Sequence, residues 1–453
     1  MRRATLRAAL LLPLVTPAVA AEPDRAPPKM ANGIKVAEVT ANSATVWTRT
    51  TDGKAAGRPG EVRVAWWPVG DKSERRETPW RATDPEQDFT RRFALSGLSP
   101  ETEYRLQVSA LASTNEASSG SRLTGGFRTA PAADSPADVT FTVVTGQRND
   151  TRDRGDQGHA IYQSMLELRP DFFVHTGDVV YYDKPGPQSR TPALARFRWN
   201  RMYAYPLQRE FHNHVPSYFI KDDHDIVRND CFPKQSYGEL TWDEGVAIFR
   251  EQTAAPPTPY RTVRWGRDLQ VWMLEGREFR SPNNMPDGPD KTILGAEQIA
   301  WLESTIAASD AAFKVIISAT PIVGPDRSNK QDNHANKGFQ HEGDWLRAML
   351  AKVPNLYVAC GDRHWQYASV DPPTGLREFC SGPTTNAHAG GWSQKRYDPE
   401  RHLFLRVKGG FLSVALEHKT GAPRLAFRHH RVDGAVVNEE VFELEPAAEP
   451  ALP

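Results

Sequence analysis

Two short segments of the chain place metal-ligand side chains directly after apolar runs that are typical of strands. Residues 177–181 (Gly-Asp-Val-Val-Tyr) follow the run 171–176, and residues 361–364 (Gly-Asp-Arg-His) follow the run 356–360. A third segment, residues 221–225 (Lys-Asp-Asp-His-Asp), also follows an apolar run. Loops at the carboxyl ends of parallel strands meet over one crevice of an α/β sheet. The pattern therefore predicts a binuclear metal centre built from carboxylates, a phenol and imidazoles.

The residue types in these segments suit metal binding. A carboxylate such as Asp178 can bridge two cations, because it offers two oxygens and its charge offsets the repulsion between the metals. A phenolate at Tyr181 is a hard anion that stabilises trivalent iron over a divalent ion. Asp362 and His364 are candidate ligands of different metals. Each segment alone is better explained as a turn or a surface pair, but their order and their shared position after apolar runs favour a metal centre.

Composition sets only loose limits on the class of protein. A chain of 453 residues is long enough for more than one domain and a large core. Its 56 basic residues balance 56 acidic ones, so no basic excess indicates a nucleic acid or an acidic membrane surface as partner. Cys231, Cys360 and Cys380 are too few for a dense disulfide framework, so stability must come from the core.

The first residues are typical of an export signal. Arginines at positions 2, 3 and 7 precede the apolar run 8–15, and residues 18–20 (Ala-Val-Ala) precede Ala21. Residues 1–21 are therefore predicted to be a cleavable signal peptide, whose apolar run is too short to span a bilayer. The paired arginines leave a twin-arginine route open. A periplasmic or secreted location is expected, and no later stretch predicts a transmembrane segment.

Residues 31–132 show short alternating strands broken by turn residues, which predicts an amino-terminal β-sandwich. Residues 44–47 (Ala-Thr-Val-Trp) and 127–131 (Phe-Arg-Thr-Ala-Pro) resemble a fibronectin type III or immunoglobulin-like module, in which Tyr104 would be the corner tyrosine. The segment 130–136 (Ala-Pro-Ala-Ala-Asp-Ser-Pro) has the composition of a linker.

Apolar runs and helical periods alternate after this linker. Strands are predicted over 141–144, 171–176, 313–318 and 355–360, and helices over 159–168, 294–306 and 345–351. This alternation predicts a layered α/β domain with at least part of its sheet parallel. Residues 404–407, 410–416 and 424–428 alternate again and are expected to be antiparallel strands that close the sheet. The predicted fold class is α+β, a β-sandwich followed by a layered α/β domain.

Six segments that carry the candidate site residues occur in a fixed order along the chain. They are Thr145-Gly146-Gln147, Gly177-Asp178-Val-Val-Tyr181, Asp222-Asp223-His224-Asp225 with Asn229, Glu275-Gly276-Arg277, Ser318-Ala-Thr-Pro321 and Gly361-Asp362-Arg363-His364. This order resembles the PhoD-type branch of the metallophosphoesterases, and Gly-Asp-x-x-Tyr resembles the motif of purple acid phosphatases. The resemblance covers nearly the whole mature chain. It implies a metallophosphoesterase catalytic domain over residues 138–446, with two sheets flanked by helices.

The resemblance also implies a metal set, with Fe³⁺ and Ca²⁺ expected in a binuclear or larger site and other divalent ions left open. The implied ligands are Asp178, Tyr181, Asp223, Asn229, Asp362 and His364. The second site has many oxygen donors, which also favours a hard cation such as calcium.

The chain departs from the family pattern at Gly146, where the resemblance implies a cysteine that binds iron. Three alternatives follow from the loss of this thiolate: Gln147, Asn149 or Asp150 replaces it, the site binds iron weakly, or the site prefers another ion. Glu275 stands where the family carries aspartate and keeps the charge on a longer arm.

Two residues are candidates for catalysis. His224 occupies the position at which the general metallophosphoesterase histidine faces the substrate, where an imidazole would protonate the leaving oxygen or stabilise the transition state. Its alternative is a ligand or packing histidine. Arg277 is a candidate phosphate clamp, with a salt bridge as the alternative. His334 and His388 lie on loops rich in Gly and Asn, and solvated loop histidines are expected there.

The expected function is an exported, metal-dependent phosphoesterase that hydrolyses phosphate mono- or diesters by a metal-activated hydroxide. Its partner would be a small or polymeric phosphate ester, with no specific nucleic-acid binding and an open oligomeric state. Two other functions remain open. One is a degenerate metallophosphoesterase that binds a surface ligand, with Gly146 as the mark of lost chemistry. The other is a hydrolase of a non-phosphate ester on the same metals.

Overall fold

The computed structural model describes residues 27–53, 56–112, 120–420 and 422–444. The predicted signal peptide, residues 1–21, lies outside the described residues. Among the helices that are described, none has the length and the apolar character needed to cross a membrane.

The amino-terminal strands form two layers, as the alternation predicted. Their bounds are β1 (Ile34–Ala37), β2 (Ser43–Arg49), β3 (Glu61–Pro68), β4 (Arg76–Glu77), β5 (Arg81–Ala82), β6 (Thr90–Ser96), β7 (Glu103–Leu111) and β8 (Ser121–Arg128). One layer contains β1, β2 and β6, and the other contains β3, β4, β5, β7 and β8. The hydroxyl of Tyr104 accepts a hydrogen bond from the backbone N–H of Ser99 at 2.9 Å, so its role as the corner tyrosine is confirmed.

The rest of the chain alternates strands with helices. The strands are β9 (Val139–Val144), β10 (Phe172–His175), β11 (Ser217–Phe219), β12 (Ser236–Tyr237), β13 (Leu240–Thr241), β14 (Arg261–Trp265), β15 (Leu269–Met273), β16 (Phe313–Ser318), β17 (Leu356–Cys360), β18 (Gln366–Val370), β19 (Arg377–Cys380), β20 (His402–Arg406), β21 (Gly410–Thr420), β22 (Ala422–Arg431) and β23 (Val436–Glu443). The α-helices are α1 (Ile161–Glu167), α2 (Pro192–Ala204), α3 (Pro206–His214), α4 (Trp242–Thr253), α5 (Ala296–Ala307) and α6 (Gln340–Leu350).

Two large sheets form the α/β domain. The first has the order β23-β22-β21-β9-β10-β11-β1-β2-β6, and the second has the order β14-β15-β16-β17-β19-β18-β20. Strands β9, β10 and β11 are parallel to one another, and so are β15, β16, β17 and β19. Apolar residues of both sheets share one buried core, to which Phe141 and Phe172 contribute from the first sheet and Val315 and Ile317 from the second. The predicted fold class is confirmed.

The sandwich and the α/β domain share a sheet. Strand β1 of the sandwich pairs in parallel with β11, with Ala37 opposite Ser217. The guanidinium of Arg261 also donates to both carboxylate oxygens of Glu38, each at 2.6 Å. The linker composition at 130–136 therefore marks the change from alternating strands to strands that alternate with helices. It does not mark a break in the sheet.

The carboxyl-terminal strands differ from the expectation in one respect. Strands β21 and β22 close the first sheet by antiparallel pairing with β9 and with each other, as predicted. Strand β20, which was expected to join them, instead pairs with β18 at the edge of the second sheet.

Helices α2, α3 and α4 are not indicated by the sequence pattern. In α2 the reason is that polar residues, Arg198 and Asn200, are buried beside the apolar ones, so the helix has no continuous apolar face.

Candidate metal centre

Most of the predicted site residues lie at the carboxyl ends of parallel strands from both sheets, together with Asp222 and His388, which were not predicted as ligands. They are Gly146 after β9, Asp178 and Tyr181 after β10, Asp222, Asp223 and His224 after β11, Arg277 after β15, Asp362 and His364 after β17, and His388 after β19. The ends of these strands face one crevice, which is where ligands bind in open α/β sheets.

The aspartates of both Gly-Asp pairs adopt the same unusual backbone conformation. Asp178 has a φ of 56° and Asp362 a φ of 58°, in the left-handed region that few residues other than glycine adopt. The preceding glycines are required by close packing: a Cβ on Gly177 would lie 2.4 Å from Cβ of Asp222, and one on Gly361 would lie 2.1 Å from Oγ1 of Thr176. The strained turn thus aims each aspartate into the crevice, as is common at functional sites.

The carboxylates form a compact set of oxygen donors. Asp178, Asp222 and Asp362 each place an oxygen within 4.8 Å of the others, and Asp178, Asp223 and His224 form a second such group. Oδ1 of Asp178 and Oδ2 of Asp222 are buried and have no hydrogen-bond partner among the described residues. Burial, together with the charges of Asp223 and Asp222, raises the pKa of Asp178 well above its ordinary value. Buried carboxylates need compensating partners, and these residues fit metal cations.

Tyr181 lies at the centre of a second cluster. Its hydroxyl donates to Oδ2 of Asp178 at 2.7 Å and lies 3.3 Å from Nε2 of both His364 and His388. Burial, followed by the charge of Asp178, raises the pKa of Tyr181 well above its ordinary value. Tyr181 would therefore form a phenolate only with a cation beside it, and a bound metal would supply that cation.

His224 is held from one side by a residue that the sequence did not indicate. Its Nδ1 lies 2.6 Å from Oδ1 of Asp183, and its ring centroid is 4.3 Å from that of Tyr181. Burial would lower the pKa of His224, but the charges of Asp223 and Asp183 outweigh it and raise the pKa above its ordinary value. Asp183 therefore fixes the ring orientation, and the ligand and substrate-facing roles of His224 both stay predictions.

The surroundings of Arg277 match the salt-bridge alternative. Its side chain is completely buried, and its Nε donates to Oδ1 of Asp222 at 2.5 Å. Its backbone N–H donates to Oε1 of Glu275 at 2.6 Å, while Oε2 of Glu275 pairs with Lys221. The longer arm of Glu275 is thus used in a buried ion pair, and Arg277 holds a carboxylate rather than an open anion site.

Asn229 lies beside Asp183, and its role as a ligand stays a prediction. It is exposed, and its backbone N–H donates to Oδ2 of Asp183 at 3.1 Å. The chain turns outwards here after buried Val227, and the neighbouring backbone N–H of Asp230 donates to Asp223. Asp222 was not among the expected ligands but lies in the cluster. Its place directly after a strand and beside Asp223 was a usable signal.

The two loop histidines are buried, so the expectation that they are solvated was wrong. His334 is 2% exposed, and its Nε2 lies 2.8 Å from Glu342, outside the cluster. His388 is 5% exposed and lies beside Tyr181, with its ring centroid 4.0 Å from that of His364. A Gly- and Asn-rich loop indicated only a pocket edge, so no sequence signal singled out His388 as a site residue.

The residues proposed to replace a thiolate at position 146 have other partners. Oε1 of Gln147 accepts from the hydroxyl of Tyr162 at 2.6 Å. Oδ1 of Asn149 accepts from the hydroxyl of Tyr205, also at 2.6 Å. Asp150 forms an ion pair with Arg148 and is about half exposed.

Two family models match this chain. The model of the PhoD-like phosphatase family matches residues 141–433, and that of the PhoD-like phosphatase N-terminal domain matches residues 16–131. The chain therefore belongs to the PhoD-like phosphatase family and is a phosphoric ester hydrolase. The comparison with curated proteins gave no match.

Two of the solved structures that match this chain show the shared fold. The structure of PhoD superposes with a TM-score of 0.74 at 17% identity, over 94% of this chain and 92% of that chain. The purple acid phosphatase PPD1 from yellow lupin (Lupinus luteus) seeds superposes with a TM-score of 0.65 at 14% identity, over 90% of this chain and 74% of that chain. The family and these folds confirm the resemblance inferred from the motifs.

Proposed function

We propose that this phosphoesterase is metal-dependent and that its centre holds a binuclear or larger set of hard cations. Two observations carry the proposal together. Asp178 and Asp222 each have a buried oxygen without a hydrogen-bond partner among the described residues. These two residues and Asp362 also each place a carboxylate oxygen within 4.8 Å of the others. Bound cations would polarise a phosphoryl oxygen and acidify water. Substrates would be phosphate mono- or diesters, and the enzyme would act in the periplasm or outside the cell, since residues 1–21 have the pattern of an export signal.

The residues of the chain would divide the work as follows. Asp178 lies in both carboxylate groups, which makes it the candidate bridging ligand. His224, oriented by Asp183, would give a proton to the leaving oxygen or stabilise the transition-state charge. Arg277 would act as a positioning residue, because it fixes one oxygen of Asp222 and leaves the other free.

The donor set supports a mixed metal content. Tyr181 would supply a phenolate, which favours Fe³⁺, whereas Asp222 and Asp223 supply hard oxygen donors that suit Ca²⁺. The retained carboxylates argue against a degenerate, ligand-binding protein, because buried anions with no function would be costly to keep.

Removal and return of metal tests the metal dependence. Enzyme treated with a chelator should lose its activity towards chromogenic phosphate mono- and diesters, and Ca²⁺ or another hard divalent ion should restore it. The physical reason is that carboxylate oxygens prefer hard cations. Element analysis of the same samples links activity to metal content. Recovery with zinc alone would contradict the proposed ligand chemistry.

Tyr181→Phe tests the trivalent site. If Fe³⁺ is bound, the phenolate should give a visible charge-transfer band, and the variant should lose that band and about one equivalent of iron while its calcium content stays unchanged. Tyr182→Phe is a matched control, because Tyr182 is also buried but its hydroxyl accepts from Nε1 of Trp199 at 2.7 Å, away from the cluster. Native protein with full metal content but no iron, and an unchanged Tyr181→Phe enzyme, would refute the iron assignment.

A further inference from the structure

We infer that Nε2 of His388 is a ligand of the metal beside Tyr181, in the place that Gly146 leaves without a side chain. This inference rests on the proposed metal centre, and it names a donor that neither the motifs nor the family match assigns.

The first argument is the space around Gly146. Its φ of 55° equals, within three degrees, the φ of Asp178 and of Asp362, so three strand ends present the same left-handed turn to the crevice. Only at Gly146 does this turn carry no side chain. A Cβ built there would lie 3.2 Å from Cε1 of His388 and 3.2 Å from the hydroxyl of Tyr181. The imidazole of His388 therefore occupies the space into which a side chain at position 146 would point.

The second argument is the tautomer of His388. Its Nδ1 lies 3.0 Å from the carbonyl oxygen of Gly146, and since a carbonyl can only accept, Nδ1 must carry the proton. In the neutral ring the lone pair then lies on Nε2, which is the atom 3.3 Å from the hydroxyl of Tyr181. Metal-binding histidines commonly donate their other N–H to a backbone carbonyl in this way, which fixes both the ring orientation and the donor nitrogen.

The third argument is that the loop holding His388 is fastened to the site. The carbonyl of Gly146 also accepts from the backbone N–H of Thr384 at 3.2 Å and from its hydroxyl at 3.1 Å. The backbone N–H of Gly390 donates to the carbonyl of His364 at 3.0 Å. Both sides of His388 are therefore tied to neighbouring loops of the site, one of which carries His364, so the position of the imidazole is fixed.

An imidazole from His388 in place of a thiolate at position 146 changes the charge of the site. An imidazole is neutral when it binds a metal, whereas a thiolate at position 146 would bring a negative charge. With His388 as donor, the metal beside Tyr181 would have two imidazoles, one phenolate and carboxylate oxygen. Imidazole suits iron as well as zinc, copper and nickel. The site beside Tyr181 should therefore accept divalent ions more readily than a site with a thiolate ligand would.

Two variants of His388 separate binding from packing. His388→Asn keeps an amide N–H near the position of Nδ1, so it can still donate to Gly146, but it has no atom at the Nε2 position. His388→Gln places an amide group near Nε2. Purified proteins loaded with iron and calcium, each alone and together, would be compared by element analysis and by competition with a chelator, and thermal unfolding would report whether they fold.

His388→Asn should bind the metal beside Tyr181 at least about 10-fold more weakly, with a shifted or lost visible band. Calcium bound by the carboxylates of Asp222 and Asp223 should stay bound. His388→Gln should bind with intermediate affinity. His334→Asn, which changes a buried histidine outside the cluster, should match the unmodified protein. If both His388 variants fold and keep the affinity of both metals while Asp178→Asn loses them, the inference is overturned and the metal centre stands. If the unmodified protein binds no metal, the proposed function fails as well. If His388→Asn does not fold, the affinity of His388→Gln decides between these outcomes.

Discussion

Asp178→Asn is expected to remove most of the bound metal and to lower kcat/KM by about 100-fold or more while leaving the fold intact. Asp178 belongs to both sets of candidate ligands, the one with Asp222 and Asp362 and the one with Asp223 and His224. It also has a buried oxygen without a hydrogen-bond partner among the described residues. Even outer partners of metal ligands typically change affinity or activity by about 10- to 100-fold, so a shared ligand should cost at least as much. Element analysis and steady-state kinetics on one preparation measure both effects.

The substitution is a clean one because asparagine tolerates the left-handed φ of 56° at this position and can still accept from Tyr181. Asp88→Asn is the matched control. Asp88 also has a left-handed φ, 52°, but it lies in the sandwich, where it pairs with Arg49. The control should keep its metal. An Asp178→Asn enzyme with full metal content and normal turnover would refute the metal centre.

The sequence allowed the general layout of the site to be predicted, because that layout follows from strand direction. An aspartate placed after glycine at the end of an apolar run can be recognised locally, and parallel strands bring such ends to one edge whatever the loops do. Asp178 and Asp362 lie 184 positions apart in the chain but have the same backbone turn and share one donor group. The sandwich with its corner tyrosine was predicted for a similar reason, since alternation and turn residues are local signals.

What the sequence did not indicate depends on how loops close. The contact between His388 and Gly146 joins residues separated by 242 positions, and it forms because the loop after β19 is tied to the end of β9. No periodicity or spacing encodes such a contact. Asn229, which a motif places among the ligands, is exposed, and its role as a ligand stays a prediction.

The role of Arg277 could not be decided from its residue type alone, because its burial and its partners distinguish a phosphate clamp from a salt bridge. A guanidinium suits a phosphate and a carboxylate equally well, so the sequence left both roles open. In the structure the side chain is completely buried and bonded to Asp222, a member of the carboxylate cluster. Its effect on the reaction would thus pass through the position of that carboxylate.

Arg277→Gln is therefore expected to lower the free energy of unfolding by about 3–5 kcal/mol, because it leaves the buried charge of Asp222 without its partner. A phosphate clamp would behave differently, with a raised KM and little change in stability. Denaturant unfolding and steady-state kinetics of the same protein distinguish the two roles. Arg431→Gln is the control, since Arg431 is 53% exposed and pairs with exposed Asp433, and a surface pair contributes only about 0–1 kcal/mol.

If Arg277→Gln is too unstable to purify, Arg277→Lys keeps the positive charge beside Asp222 but loses the planar fork that fixes its oxygen. This variant should regain part of the stability and should bind metal more weakly than the unmodified enzyme, because Asp222 is no longer held in one orientation. An Arg277→Gln enzyme with unchanged unfolding free energy, unchanged metal affinity and a KM raised about 10-fold or more would show that the guanidinium contacts the substrate and that its burial beside Asp222 does not describe the working enzyme.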